Sequence, residues 1–219
     1  HGPARGPVSI TQVTERGHVY SLAELKALVD VAKSFGLPVH LDGARFANAM
    51  VALGCTPAEM TWKLGIDAVS FGGTKNGCMG VEAVVIFDRS KTMEFEYRRK
   101  RGAHLFSKHR YLAAQMEGYL QDGLWMDLAR SANARMARLA QGLAGINGVE
   151  FTSEPHANML FPRLPRAMHR RLMAEGAYYY LYDGELDGGP EDALIKCRLV
   201  CDWSVTEATI DRFIAVAKG

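Results

Sequence analysis

Residues 38–77 read PVHLDGARFANAMVALGCTPAEMTWKLGIDAVSFGGTKNG, a strand, a helical stretch and a second strand in close succession. Pro38 to Asp42 is a short apolar run ending in an acid, the pattern of a buried strand. Arg45 to Leu53 reads as a helix that stops at Gly54. Thr56-Pro57-Ala58-Glu59 has capping-box spacing with Pro at the first helical position, so another helix starts there. Asp67 to Phe71 reads as the second strand, and Gly72-Gly73-Thr74-Lys75-Asn76-Gly77 follows as a loop. Strands alternating with helices imply βαβ units and a largely parallel sheet, covered by helices on both faces. In such sheets ligands bind beyond the carboxyl ends of the strands. Asp42 and Lys75 stand at or just past two of those ends, which places them on one rim of the sheet.

Outward from this stretch the pattern continues. Val8 to Val13 is a short β-rich run. Ser21 and Glu24 have capping-box spacing, and Leu22, Leu25, Leu28, Val29 and Ala32 then share one helical face up to Gly36. Ala83 to Phe87 reads as another strand. The basic run Arg98 to Arg101 reads as a solvated helix face. A long helical region follows from about Lys108 to Leu143, broken near Asp122-Gly123, and Asn147-Gly148 signals a turn. Beyond it come short strands at 149–152, 158–161, 178–182 and 194–201, with helices at 166–175 and 206–217. The expected organisation is a partial large α/β domain over residues 1–145, including the long connecting helix, and a small α+β domain over residues 146–219.

Composition narrows the class of function. The 219 residues carry 26 Lys and Arg against 24 Asp and Glu, a net charge of +2. That balance gives no reason to expect nucleic acid or an anionic membrane as partner. No apolar run reaches the ~18 residues of a membrane span. The four cysteines form no CxxC pair and fit reduced thiols in a cytoplasmic protein. The seven histidines show no HExxH spacing, so no metal is expected. P-loop, GxGxxG and GxSxG motifs are absent as well. The chain opens on His1, and residues 1–7 run as a loop straight into a strand, so an N-terminal portion is expected to be lacking.

Three constellations could carry chemistry. A lysine in a glycine-rich loop after a buried strand can be desolvated, which frees a neutral amine able to form a Schiff base with an aldehyde. Lys75 fits that description, although on spacing alone a solvated lysine on a surface turn is the favoured reading. Asp42, with Arg45 three residues later, suits a heteroaromatic cofactor: a carboxylate keeps a pyridine nitrogen protonated, and the Arg fork binds an anionic oxygen. The same spacing fits a local Asp cap with a pairing Arg. Arg198 stands between apolar neighbours in a strand and needs a partner, for which a substrate carboxylate is one candidate and solvent another. His40 reads as a satisfied core residue.

Taken together, HLDGARFANA (40–49), SFGGTKNG (70–77) and CRLVCDW (197–203) resemble the threonine aldolases of the β-eliminating lyase group. ITQVTERGHVYS (10–21), RRKRGAHLFSKHRYLAAQ (98–115), DGLWMDLARSANARMARLA (122–140) and EPHANMLF (154–161) extend the resemblance over nearly the whole chain, toward the low-specificity and phenylserine-aldolase branch. It implies the aspartate aminotransferase-like fold and pyridoxal 5'-phosphate as cofactor. It also implies cleavage of β-hydroxy-α-amino acids to glycine and an aldehyde. Lys75 would bond the cofactor aldehyde, Asp42 would pair with the ring nitrogen, and Thr74 would contact the phosphate. Arg45 would lie near the cofactor's phenolic oxygen and the substrate carboxylate, which Arg198 would hold. Gln12 and Thr14 are further pocket candidates. The partners implied are a small amino-acid substrate and a second or further copies of the chain, as a homodimer or homotetramer. The resemblance also implies that a phosphate-binding loop and a ring-stacking residue belong to the segment upstream. Competing readings are a lyase that eliminates to pyruvate and ammonia, and a non-catalytic fragment.

Overall fold

The computed structural model describes residues 5–219. Of the opening loop, residues 1–4 lie outside the described residues. The chain divides into two compact units. One comprises the residues up to Thr14 and Val19–Leu128, the other Glu15–His18 and Ala129–Gly219. The sequence reading sets its division near residue 145, whereas this one falls at 128/129.

In the first unit, strands β1 (Val8–Thr11), β2 (Val39–Gly43), β3 (Ala68–Gly72) and β4 (Glu82–Ile86) form one sheet in that order. The first three are parallel, and β4 runs antiparallel to β3. Only residues 73–81 join β3 to β4, and a parallel crossover needs a dozen or more. Helix α1 (Leu22–Ser34) starts at the expected capping box, with Ser21 and Glu24 bonding reciprocally, and it buries Leu25, Val29 and Ala32. Helix α2 (Phe46–Leu53) ends at Gly54 in the left-handed conformation, with φ of 61°. The Thr56–Glu59 capping box also forms, but it opens only the short α3 (Pro57–Met60), followed by a 3-10 turn at Trp62–Leu64. The basic run lies in α4 (Thr92–Arg101), which has no buried residue. The long helical region is α5 (Arg110–Leu120) and α6 (Leu124–Leu143), interrupted where Asp122 takes φ of 49°. The 128/129 division falls inside α6. No helix among the described residues is long and apolar enough to cross a membrane.

The second unit is built on β9 (Leu194–Val200), paired antiparallel with β6 (Met159–Leu160), β7 (Pro162–Pro165) and β8 (Tyr180–Leu181). Strand β5 (Glu150–Phe151) extends the sheet beyond β7. The sequence reading did not include β7. Its prolines flank Arg163 and Leu164, and Pro at the ends of a short strand hides the alternation that marks one. Helices α7 (Arg166–Ala174) and α8 (Glu207–Lys218) complete the unit. Met136, Leu143, Leu160, Leu164, Leu172 and Cys197 are among its core residues. All four cysteines are free thiols.

His169 is fully buried in this core. Its Nε2–H donates to the Ile195 carbonyl at 3.0 Å, and Nδ1 accepts from the Tyr179 hydroxyl at 2.9 Å. Burial pushes its imidazole below the ordinary value, because a second proton would be desolvated and would displace the tyrosine donor. The unfolded chain therefore takes up this proton first as the pH falls. Stability from neutral His169 should be fully present above its unfolded value of about 6.5 and decline as the pH drops below it. Denaturant titrations at pH 7.5 and 5.5 should show that decline in the parent and a smaller one in His169→Gln. Equal declines would refute it.

Candidate active site

The rim expected from the sequence is formed by the ends of β1, β2 and β3. Thr11 pairs with Asp42, Asp42 with Ser70, and Gly43 with Phe71. The Gln12 N–H donates to the Asp42 carbonyl at 2.9 Å, which continues the β1–β2 ladder one step further. Asp42 is half-buried. Its Oδ1 accepts the Ala44 N–H at 3.1 Å, a tight turn that holds the carboxylate to its own strand end. Its Oδ2 has no hydrogen-bond partner among the described residues. By strand alternation His40 shares the face of Asp42. Its two ring nitrogens bond Ser9 Oγ at 2.8 Å and Ser70 Oγ at 2.9 Å, so three strands are stitched by one imidazole. It is satisfied, as the sequence reading has it.

Arg45 is the N-cap residue of α2 and is half-buried, one turn beyond Asp42. Behind it α2 buries five consecutive residues, Phe46 to Met50, and Phe46 meets Phe71 edge-on at 5.4 Å. The turn carrying Asp42 and Arg45 is thereby fixed to β3.

Lys75 lies in a 3-10 turn, Thr74–Asn76, directly after β3. It is exposed, and its ammonium makes no ion pair or hydrogen bond with any described residue. The close fit comes from the glycines. A methyl group on Gly72 would stand 2.5 Å from the Ala44 carbonyl oxygen, and one on Gly43 would stand 2.7 Å from the Ser70 carbonyl oxygen. The backbone beginning the Lys75 turn therefore lies against the backbone of the Asp42–Arg45 turn. Only side-chain-free residues permit that approach.

Residues that the sequence reading did not single out clamp this turn. Asn76 is buried, and its Nδ2 donates to the Tyr119 hydroxyl at 2.6 Å and the Trp125 carbonyl at 2.8 Å. The Tyr119 hydroxyl donates in turn to the Gly72 carbonyl at 3.4 Å, and burial pushes it up to about 12, so it stays neutral. Glu82 accepts the N–H groups of Gly73 and Thr74, both at 3.2 Å. Nothing in local spacing links Asn76 to Tyr119.

Two of the expected residues bond within the chain. Thr74 Oγ1 donates to the Val81 carbonyl at 3.3 Å and accepts the Val81 N–H at 3.1 Å. Thr74 itself is exposed, and its hydroxyl ties the start of the turn to the β4 side of the loop. Gln12 is fully buried, with its amide gripping both the N–H and the carbonyl of Tyr20 at 3.0 and 2.9 Å, so it braces the chain after β1.

Arg198 belongs to the second unit. It pairs with Tyr180 across β8 and β9, and its guanidinium carbon lies 5.2 Å from the Tyr180 ring centroid. It is half-buried, and its Nε is buried without a hydrogen-bond partner among the described residues. No carboxylate among the described residues pairs with it. That combination suits a guanidinium kept for a ligand anion better than one facing solvent.

Several known proteins are similar to this chain. Residues 1–164 match the family described as beta-eliminating lyase. The chain is 41% identical over 215 residues to the low specificity L-threonine aldolase of Pseudomonas sp. strain NCIMB 10558, covering 98% of this chain and 60% of the relative. Among solved structures it resembles the threonine aldolase of Leishmania major, with a TM-score of 0.85, 28% identity, and coverage of 97% of this chain and 60% of the other. Sphingomonas wittichii serine palmitoyltransferase, at 15% identity and a TM-score of 0.64 over 99% of this chain and 55% of the other, shares the fold. The chain thus spans about 60% of the length of the relatives it matches.

Proposed function

Since the chain belongs to the beta-eliminating lyase family and carries much of the aspartate aminotransferase-like fold, we propose that it serves the retro-aldol cleavage of β-hydroxy-α-amino acids, such as threonine or phenylserine, to glycine and an aldehyde. Pyridoxal phosphate is the cofactor in this reading. The observation that carries it is the contact of the Gly72 and Ala44 backbones, which sets the Lys75 turn beside the Asp42–Arg45 turn. The residues present fit the cofactor: an exposed lysine without a counter-ion, and a carboxylate anchored through one oxygen with the other open.

When bound, the cofactor supplies an electron sink for the pair left on Cα as the Cα–Cβ bond breaks. Lys75 would tether its aldehyde carbon. Asp42 would keep the proton on its ring nitrogen, since a carboxylate favours the charged form of a neighbouring base. Arg45 and Arg198 would grip the substrate carboxylate and so fix the orientation of the breaking bond. Thr74, exposed beside Lys75, would contact the phosphate. The β-hydroxyl proton leaves with the aldehyde's formation, and one proton returns to Cα to give glycine. A homodimer or homotetramer, as the family resemblance implies, is part of this proposal.

Two other readings have an observation behind them. The family description favours elimination to pyruvate and ammonia. An open apolar cavity of about 500 Å³ in the first unit, lined by Trp62, Phe71, Val85, Phe87 and Trp125 among others, favours a non-catalytic fragment with uncovered surface. Incubation of the cofactor-loaded chain with L-threonine and with phenylserine tests all three. Glycine with acetaldehyde or benzaldehyde is expected. Pyruvate or another keto acid with ammonia would replace the aldol reading with elimination, and no product would favour the fragment.

A further inference from the structure

The second unit holds a pocket of about 380 Å³ that the function above does not use, lined by Glu15, Arg16, Ser153, Phe161, Tyr182 and Lys196 among others. Lys196 is half-buried, and its ammonium lies 5.8 Å from the centroid of the Phe161 ring. No described residue pairs with that ammonium. The carboxylate that accepts the Lys196 backbone N–H, Asp183, is itself bridged to Arg163 at 3.0 Å. Arg16 likewise has no ion pair or hydrogen bond with a described residue. Half-buried Lys196 and exposed Arg16 thus border one space without an ion pair among the described residues, and Glu15 is the carboxylate among the lining residues. The hydroxyls of Ser153 and Tyr182 make no hydrogen bond within the described residues and remain available as donors. A partly desolvated ammonium without a partner costs free energy that an anionic ligand would return.

The pocket also has a direction. Lys196 and Arg198 are two residues apart on β9, so they share one face, about 6.6 Å apart along the strand. Tyr182 and Tyr180 lie opposite them, with the Tyr182 N–H on the Lys196 carbonyl at 2.9 Å and Tyr180 in register with Arg198. The spacing suits the two carboxylates of a four-carbon dicarboxylate.

We propose that this pocket is an anion subsite that takes the second carboxylate of an acidic β-hydroxy-α-amino acid whose α-carboxylate sits on Arg198; the substrate half of this statement rests on the function proposed above. The substrate class thereby extends from apolar side chains to acidic ones such as that of β-hydroxyaspartate.

Calorimetric titration of the chain with succinate, and separately with acetate, tests it. Succinate should bind at least tenfold more tightly than acetate. Lys196→Met, Arg16→Gln and Arg198→Ala should each weaken succinate at least tenfold, whereas Lys196→Arg and Lys75→Ala should retain it. No succinate binding in the parent, no advantage over acetate, or affinity indifferent to Lys196→Met in a variant that melts like the parent, would overturn the subsite. Succinate binding through Lys196 in a chain without a Lys75-dependent cofactor signal would overturn the substrate half and leave the anion site standing.

Discussion

Lys75→Ala should abolish the visible absorption band that pyridoxal phosphate gives on binding to the parent chain. It should also reduce threonine or phenylserine cleavage by a thousandfold or more, on the order of the loss when a covalent catalytic group is removed. The effect is chemical, because the structural role of the side chain is slight. Lys75 is exposed and bonds nothing among the described residues, so its truncation should change stability by no more than about 0.5 kcal/mol. Parent and variant should therefore melt together while only the parent shows the band. The measurement is a spectroscopic titration of both chains with the cofactor. A variant that keeps the parent's band and rate would remove Lys75 from the site. A parent with no band of its own would mean that the described residues do not by themselves hold the cofactor, and would favour the non-catalytic reading.

Gly72→Ala should be nearly as damaging, through the backbone. The added methyl would meet the Ala44 carbonyl oxygen at 2.5 Å, the Ala44 carbonyl carbon at 2.8 Å and the Gly43 oxygen at 2.8 Å. None of these is the movable end of a side chain, so either the turn after β2 or the turn after β3 has to shift. Overpacking of this kind typically costs about 1–3 kcal/mol. The shift would separate Asp42 from the Lys75 turn, so the cofactor band should weaken together with the melting temperature. Gly80→Ala is the matched control, since a methyl there meets nothing within 4 Å. Thermal melts and cofactor titrations of the two variants should diverge. A Gly72→Ala chain with the parent's melting temperature and affinity would show that the close approach of the two turns is dispensable.

Much of the site was legible because its signals are local. Asp42 closes an apolar run and Lys75 follows one, so chain order alone puts both on the same rim of a parallel sheet. The capping boxes at Ser21 and Thr56 formed as their spacing required, and Asp122-Gly123 broke the long helix where expected. The antiparallel course of β4 could have been read from the shortness of residues 73–81, but the strand's composition resembles that of its neighbours.

Thr74 shows where local reading stops. Its position beside Lys75 suggests a ligand contact, and no spacing reveals that its hydroxyl also bonds the Val81 backbone. Arg198 is the opposite case: its alternating neighbours suit a solvent-facing residue, whereas its stacked, half-buried guanidinium keeps an unmatched Nε.

Periodicity, caps and strand ends are properties of residues within a few positions of each other, and they settle which elements form and which residues stand at their ends. Which groups are left open for chemistry depends on partners far away in the chain. Asn76 is clamped by Tyr119 and the Trp125 backbone, Gly72 is pressed on Ala44, and Lys196 has no counter-ion among the described residues. A hydrogen bond or a close contact is made only by atoms that folding brings within about 3 to 4 Å, and no short-range pattern in a sequence records that distance.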